Sequence, residues 1–135
     1  MAGYSGKALI QKLGFKPGHR VALSGAPSGF LEELAPLPEG IRLVTRRSRT
    51  LLDAVLLFAP DQAALEAELA GWIRRLEPAG MLWVAWPKRA SRVATDLDEN
   101  VVRRMGLAAG VVDVKVCAVN EVWSGLKFVR RLKDR

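Results

Sequence analysis

The sequence predicts an α/β fold: three layers around a mainly parallel six-stranded sheet, closed by a C-terminal antiparallel hairpin. Three observations predict it. Apolar runs of strand length alternate with segments of helical periodicity. The run at 81–86, M-L-W-V-A-W, has neither charge nor polar alternation, as in a strand covered on both faces. A turn of only residues 120–124 separates the last two apolar segments, whereas a parallel return needs a crossover of a dozen residues or more.

Taken in order, residues 1–19 form a polar lead-in with one short helix, 7–13, closed by Gly14. K-P-G-H at 16–19 is a turn, since proline pre-sets φ and glycine tolerates the reversal after it. Gly6-Lys7 lacks both the upstream glycine spacing and the following Ser/Thr of a phosphate loop. His19 has no second ligand or base near it in sequence and reads as a surface histidine. The first strand, 20–24, runs into S-G-A-P-S-G at 24–29 and a short helix at 30–34. Small residues there either bring backbone amides to an anion or simply close a tight turn around Pro27.

Residues 35–40 are loop, 41–44 a short second strand, 45–50 an arginine-rich link and 54–58 the third strand. Pro60 and Asp61 open a helix whose Leu65, Leu69, Trp72, Ile73 and Leu76 fall at helical spacing, which places Trp72 in the core. E-P-A-G at 77–80 ends that helix and launches the fourth strand, 81–86, which opens into a cationic loop, 87–92. Thr95, with Asp98 three residues on, matches a capping box for the next helix. Leu97, Val101, Met105 and Ala108 form its inner stripe and Gly110 its C′ residue. The fifth strand, 111–119, sets Val112, Val114, Val116 and Ala118 against Asp113, Lys115 and Cys117. That half-polar face suits a sheet edge, one open to pairing with a second copy, and makes Cys117 a partly buried strand residue. The sixth strand is 125–132, and the whole of 1–135 is expected to be one domain.

Twenty-one bases against fourteen acids leave a net charge of +7, which favours anionic partners. The bases are scattered in small groups, more like a solvated surface than a dedicated nucleic-acid face. One cysteine excludes an internal disulfide and suits a reducing cytoplasm, and one cysteine with one histidine makes no metal site. The longest apolar run, 54–59, is far too short to cross a membrane, and the first ten residues show no secretory signal.

The element order resembles a shortened class I methyltransferase fold, a Rossmann-like architecture whose last two strands also form an antiparallel hairpin. L-E-P-A-G-M-L-W-V at 76–84 is similar to the L-x-P-G-G that commonly precedes a late strand in that family. The resemblance implies a sheet order of 2-1-3-4-6-5, with one helix and strand replaced by the basic link at 45–52. A second resemblance rests on Y-S-G-K-A-L (4–9), K-L-G-F-K-P-G (12–18), M-L-W-V-A-W-P-K-R-A-S (81–91), T-D-L (95–97) and V-D-V-K-V-C-A-V-N-E-V-W-S-G-L-K-F-V (112–129). These motifs are similar to a family of small bacterial proteins catalogued as a domain of unknown function. That implies a bacterial, cytoplasmic origin and no particular activity.

The methyltransferase resemblance implies S-adenosylmethionine as cofactor, and here the sequence departs from the pattern. V-A-L-S-G-A-P-S-G at 21–29 contains no acid and no G-x-G-x-G. The second strand ends in V-T-R-R, where a carboxylate would accept from two ribose hydroxyls. F-A-P-D at 58–61 is the nearest approach to a catalytic N-P-P-Y-like segment.

Strand ends should still converge on one rim, bringing together Ser24, Gly25, Ser28, Gly29, Lys88, Ser91, Thr95, Glu121 and Trp123 as a ligand-binding set, with no catalytic residue assigned. The structural alternative pairs Lys88 with Glu121, leaves Thr95 as a cap and makes Trp123 a plug. The leading expectation is therefore a non-catalytic or regulatory domain that binds a small anion or nucleotide. A degenerate or atypical S-adenosylmethionine-dependent methyltransferase is the alternative, and a basic nucleic-acid-associated protein the third.

Overall fold

A computed structural model describes residues 8–135; the helix start at Lys7, the Gly6-Lys7 pair and the motif from Tyr4 begin outside them. The elements are α1 (Leu9–Leu13), β1 (Arg20–Ser24), α2 (Phe30–Leu34), β2 (Arg42–Leu43), β3 (Leu52–Phe58), α3 (Gln62–Arg74), β4 (Leu76–Pro87), α4 (Glu99–Ala109), β5 (Val111–Ala118) and β6 (Trp123–Arg130). Single 3-10 turns lie at Arg89–Ser91 and Leu132–Asp134. The strands form one sheet in the order β2-β1-β3-β4-β6-β5, as the sequence implied.

The sheet is mixed rather than mainly parallel. β1 pairs in parallel with β2 and β3, and β3 with β4. β6 then inserts antiparallel between β4 and β5, along seven residues of β4 from Met81↔Val129 to Pro87↔Trp123. The physical reason is the short turn after β5: it returns the chain as a hairpin, and the second strand of the hairpin takes the inner place.

Strand alternation sorts the apolar side chains onto two faces. Val55, Leu57, Leu82, Val84, Leu126 and Phe128 pack beneath α3 and α4. Ala54, Leu56, Phe58, Trp83 and Ala85 pack beneath α1 and α2, where Leu13, Phe15, Phe30 and Leu34 meet them. Trp72 is core, as its spacing predicts. The predicted start of the fourth strand moves forward. Leu52 pairs with Leu76 and Ala54 with Met81, so Glu77–Gly80 bulges out between two registers of one strand. A Cβ on Gly80 would lie 2.9 Å from the Leu52 carbonyl oxygen, so the bulge requires glycine there.

Helix ends obey local chemistry, with one correction. Asp61 caps α3 by accepting from the Ala64 amide at 2.9 Å. Thr95 does not cap α4; Asp98 does, accepting from the Val101 amide at 2.8 Å. The Thr95 hydroxyl instead donates to the Pro60 carbonyl at 2.7 Å and accepts from the Leu97 amide, pinning the loop before α4 to the end of β3. With the helix starting at Glu99, its buried stripe shifts to Val102 and Gly106, and Ala108 is exposed. Gly110 closes α4 at φ 101°, the left-handed C′ position.

β2 is reduced to two exposed residues, and the link after it has no helix of its own. Side chains from α3 hold that link. Arg75 lies over the Trp72 ring at 5.1 Å and donates to the carbonyls of Arg46 and Thr50 at 3.3 and 3.4 Å. Arg46 pairs with Glu68 at 2.5 Å. At the other flank β5 is the edge strand, and its pairing with β6 slips between Asp113 and Lys115.

Just before that slip Asp113, in register with Phe128, faces α4, where its carboxylate accepts from Arg103 Nε at 2.8 Å, while Arg103 also binds Glu99 at 2.6 Å. The hydrogen bond from Arg103 holds the Asp113 carboxyl below its ordinary value. A folded-state pKa below the unfolded one adds stability that is present above the unfolded value, about 3.9, and is lost as pH falls through the folded value. Asp113→Asn should therefore be less stable than the parent at pH 7. Urea midpoints should show that difference shrinking as pH drops below about 4; a constant difference would mean the carboxylate is unpaired.

Candidate functional site

The β-strand order reverses at β1. The chain leaves β1 for β2 on one side and returns to β3 on the other, so the crevice at the C-terminal ends of β1 and β3 is the topological switch point where open α/β sheets hold ligands. Its walls are the 24–29 loop and residues 59–61. Gly25 adopts φ 69°, and a Cβ there would sit 2.9 Å from the Phe58 carbonyl oxygen, so only glycine lets the two loops approach this closely. Ser24 is half-buried, and Ser28 and Gly29 are exposed. The helix after this loop is one turn long and carries Glu32 and Glu33, which oppose an anion at its start.

The nine residues expected to form one site divide into separate groups. Trp123 lies on the α1/α2 face, edge-on to Phe58 with ring centroids 5.0 Å apart, and Phe58 is edge-on to Phe30 at 4.8 Å. This row of rings walls one side of the rim. Asn120 accepts from the amides of Val122 and Trp123 and donates to Glu33 at 3.0 Å, tying the β5–β6 turn to α2. Glu121 is exposed on that turn and makes no ion pair with Lys88 among the described residues.

Lys88 and Thr95 lie on the opposite face, in a cleft of about 580 Å³ between the end of β4 and the start of α4. Ser91 is consumed locally, donating to the Lys88 carbonyl at 2.6 Å and accepting from the Val93 amide. Ser24 pairs with Leu57, which pairs with Val84. Lys88 is thus two strands across and four residues along from Ser24, roughly 15 Å by strand geometry. A single small anion cannot touch both. Strand alternation carried the signal for this split, because Lys88 shares a face with Trp86 whereas Trp123 does not. Asp96, which its sequence position assigns as a charge at the start of α4, serves α3 instead, its carboxylate accepting from the first amide of that helix, at Gln62, at 2.8 Å.

Other candidates resolve simply. His19 Nδ1 accepts from the Lys16 amide at 3.1 Å. Burial pushes the Cys117 thiol up, despite lysines nearby, so it is not an activated nucleophile. Among the described residues no group of three His, Cys, Asp or Glu is placed to hold a metal ion, and no helix is long and apolar enough to cross a membrane.

Sheet order, hairpin and the switch-point crevice together define the Rossmann-like fold of the class I S-adenosylmethionine-dependent methyltransferases. Solved structures of that class superpose on most of the chain. The ribosomal protein L11 methylase of Lactobacillus delbrueckii subsp. bulgaricus aligns with a TM-score of 0.63 and 13% identity, over 91% of this chain and 75% of that one. A SAM-dependent methyltransferase from Aquifex aeolicus aligns with a TM-score of 0.61 and 13% identity, over 89% and 86%. Magnesium protoporphyrin IX methyltransferase from Synechocystis PCC 6803, solved with bound SAH, gives 0.58 and 14%, over 85% and 75%. At such identities the likeness is one of fold. No family model matches the chain, the small bacterial family of the second resemblance included, and no curated protein matches it in sequence. The expectation of a non-catalytic anion- or nucleotide-binding domain is corrected here: the structures sharing this fold are methyltransferases, which favours the alternative.

Proposed function

We propose that the chain is an atypical S-adenosylmethionine-dependent methyltransferase that takes its cofactor in the crevice between β1 and β3. The observation that carries this reading is the reversal of strand order at β1, with Gly25 packed against the end of β3 just where the crevice opens.

The fit to the cofactor is good at the glycine loop and poor at β2. The 24–29 loop offers backbone amides and the Ser24 and Ser28 hydroxyls to a polar group, with no side chain on Gly25 or Gly29 in the way. Past β2, by contrast, no carboxylate occurs from Arg42 to Arg49, and Arg46 is already paired with Glu68. The ribose hydroxyls would therefore be held by loop hydroxyls and carbonyls alone. S-adenosylmethionine supplies a methyl group made electrophilic by its sulfonium. The chain contributes the walls: the Phe30–Phe58–Trp123 row excludes water from one side, and Asp61 is spent on capping α3.

S-adenosylhomocysteine should raise the melting temperature with the logarithm of its concentration, by the equivalent of about 2.7 kcal/mol at a hundred times its dissociation constant. Isothermal calorimetry should give one site per chain. Absence of any shift or heat up to millimolar ligand, in protein with a cooperative melt, would sink the reading.

A further inference from the structure

We propose that the cleft between the end of β4 and the start of α4 binds a phosphate group carried by the methyl acceptor. The phosphate site stands on its own geometry; the word acceptor rests on the reading above.

Three cations line this cleft, Lys88, Arg89 and Arg92, and among the described residues none has a side-chain hydrogen bond or ion pair. Elsewhere several of the chain's cations are put to structural use. Arg130 donates to the Ile73 and Leu76 carbonyls at 2.7 and 2.9 Å, Arg131 to the Leu107 carbonyl, and Arg103 to two acids. The acids that border the cleft are also engaged. Asp98 caps α4, Asp96 caps the start of α3, and Glu99 pairs with Arg103. Three bases and three acids thus line the cleft, the acids already hydrogen-bonded and the bases left to meet a ligand.

Cations beside the start of a helix face its positive dipole end, an unfavourable placement that a bound anion would reverse. They are also presented by a stiff turn. Ser91 Oγ fastens the Lys88 carbonyl, and the Arg92 amide donates to the Arg89 carbonyl at 3.1 Å. Arg92 itself sits at φ 60°, among the described residues the one non-glycine in the left-handed region. Such a backbone is strained and gathers at ligand clamps. Trp86 and Leu97, 6% and 5% exposed, give the cleft an apolar floor against which a base or ring can lie beside its phosphate. The cleft also adjoins the cofactor crevice, because Thr95 on its wall bonds the Pro60 carbonyl at the end of β3.

Inorganic tripolyphosphate is the probe, read by thermal shift and calorimetry on the full chain without cofactor. It should stabilise the parent, and the triple variant Lys88→Ala, Arg89→Ala, Arg92→Ala should bind it about tenfold more weakly or worse, given the strength of hydrogen bonds to charged groups. Arg92→Gly separates binding from folding: it relieves the left-handed backbone, so its melting temperature should hold or rise while tripolyphosphate binding falls. Arg47→Ala with Arg49→Ala, two cations away from the cleft, should leave binding unchanged. A nucleoside triphosphate binding more tightly than tripolyphosphate marks a small phosphorylated acceptor, and a short single-stranded oligonucleotide doing so, with a steep salt dependence, marks a phosphodiester. No tripolyphosphate effect on the parent, or an equal effect on the triple variant, overturns the proposal. S-adenosylhomocysteine binding that survives either result keeps the methyltransferase reading intact. Tripolyphosphate binding to a protein indifferent to S-adenosylhomocysteine keeps the cleft and removes that reading.

Discussion

Gly106→Ala is expected to destabilise the protein by about 2–3 kcal/mol, although glycine to alanine inside a helix ordinarily stabilises it by about 1 kcal/mol. Gly106 is buried in the second half of α4, where the helix lies directly on β6. A Cβ there would stand 2.1 Å from Phe128 Cε1 and 2.5 Å from Cζ. Phe128 is fully buried and cannot swing into solvent. Either the ring leaves its rotamer or the helix lifts, and lifting strips cover from Leu126 and Val102 as well. Urea midpoints with an unchanged m-value would report the loss. Phe128→Leu in the same chain should restore part of it, although Phe128→Leu alone leaves a cavity and destabilises. A Gly106→Ala protein as stable as its parent would show that α4 does not rest on the sheet through this residue.

The second large effect is on the other face. Trp83 is fully buried in the middle of β4, and its indole N–H donates to the Leu13 carbonyl at 2.9 Å across seventy residues of sequence. That carbonyl belongs to the last turn of α1, which has no partner for it within the helix. Trp83→Phe removes the donor, strands a buried acceptor and leaves a void about the size of the missing ring. The combined cost should be about 2–4 kcal/mol. The loss should also be local: amide exchange at residues 9–14 should quicken more than at β3. Uniform exchange across the chain would mean that the bond does not anchor α1.

These two sites show what a sequence discloses and what it withholds. The apolar run of β4, the helical spacing of Leu65, Leu69 and Trp72, Gly110 as C′ and the hairpin after Asn120 are local patterns, and the structure contains each. The strand order emerged once those elements were counted against a known architecture. The errors came from partners distant along the chain. T-D-L-D offers two capping residues, and Thr95 fits the local motif better, but the Pro60 carbonyl thirty-five residues earlier claims its hydroxyl and leaves the helix to Asp98. The site was read too broadly for a similar reason. Loops that end on one rim were treated as one surface, yet the pleat turns Lys88 and Trp123 to opposite sides of the sheet. The arginine-rich link after β2 likewise has partners that its own sequence does not show. Glu68 of α3 pairs with Arg46, and Arg75 at its C-cap holds the Arg46 and Thr50 carbonyls.

The slip in the pairing of β5 with β6 bears on how the protein behaves when crowded. A straight outer strand offers evenly spaced donors and acceptors on which another polypeptide can crystallise, strand upon strand. Here that rhythm is broken at Val114, and Lys115 stands exposed beside the break. Both are devices by which sheets discourage lateral growth. The valines exposed on this strand, Val114 and Val116, thus lie at and just past that break rather than on an unbroken edge.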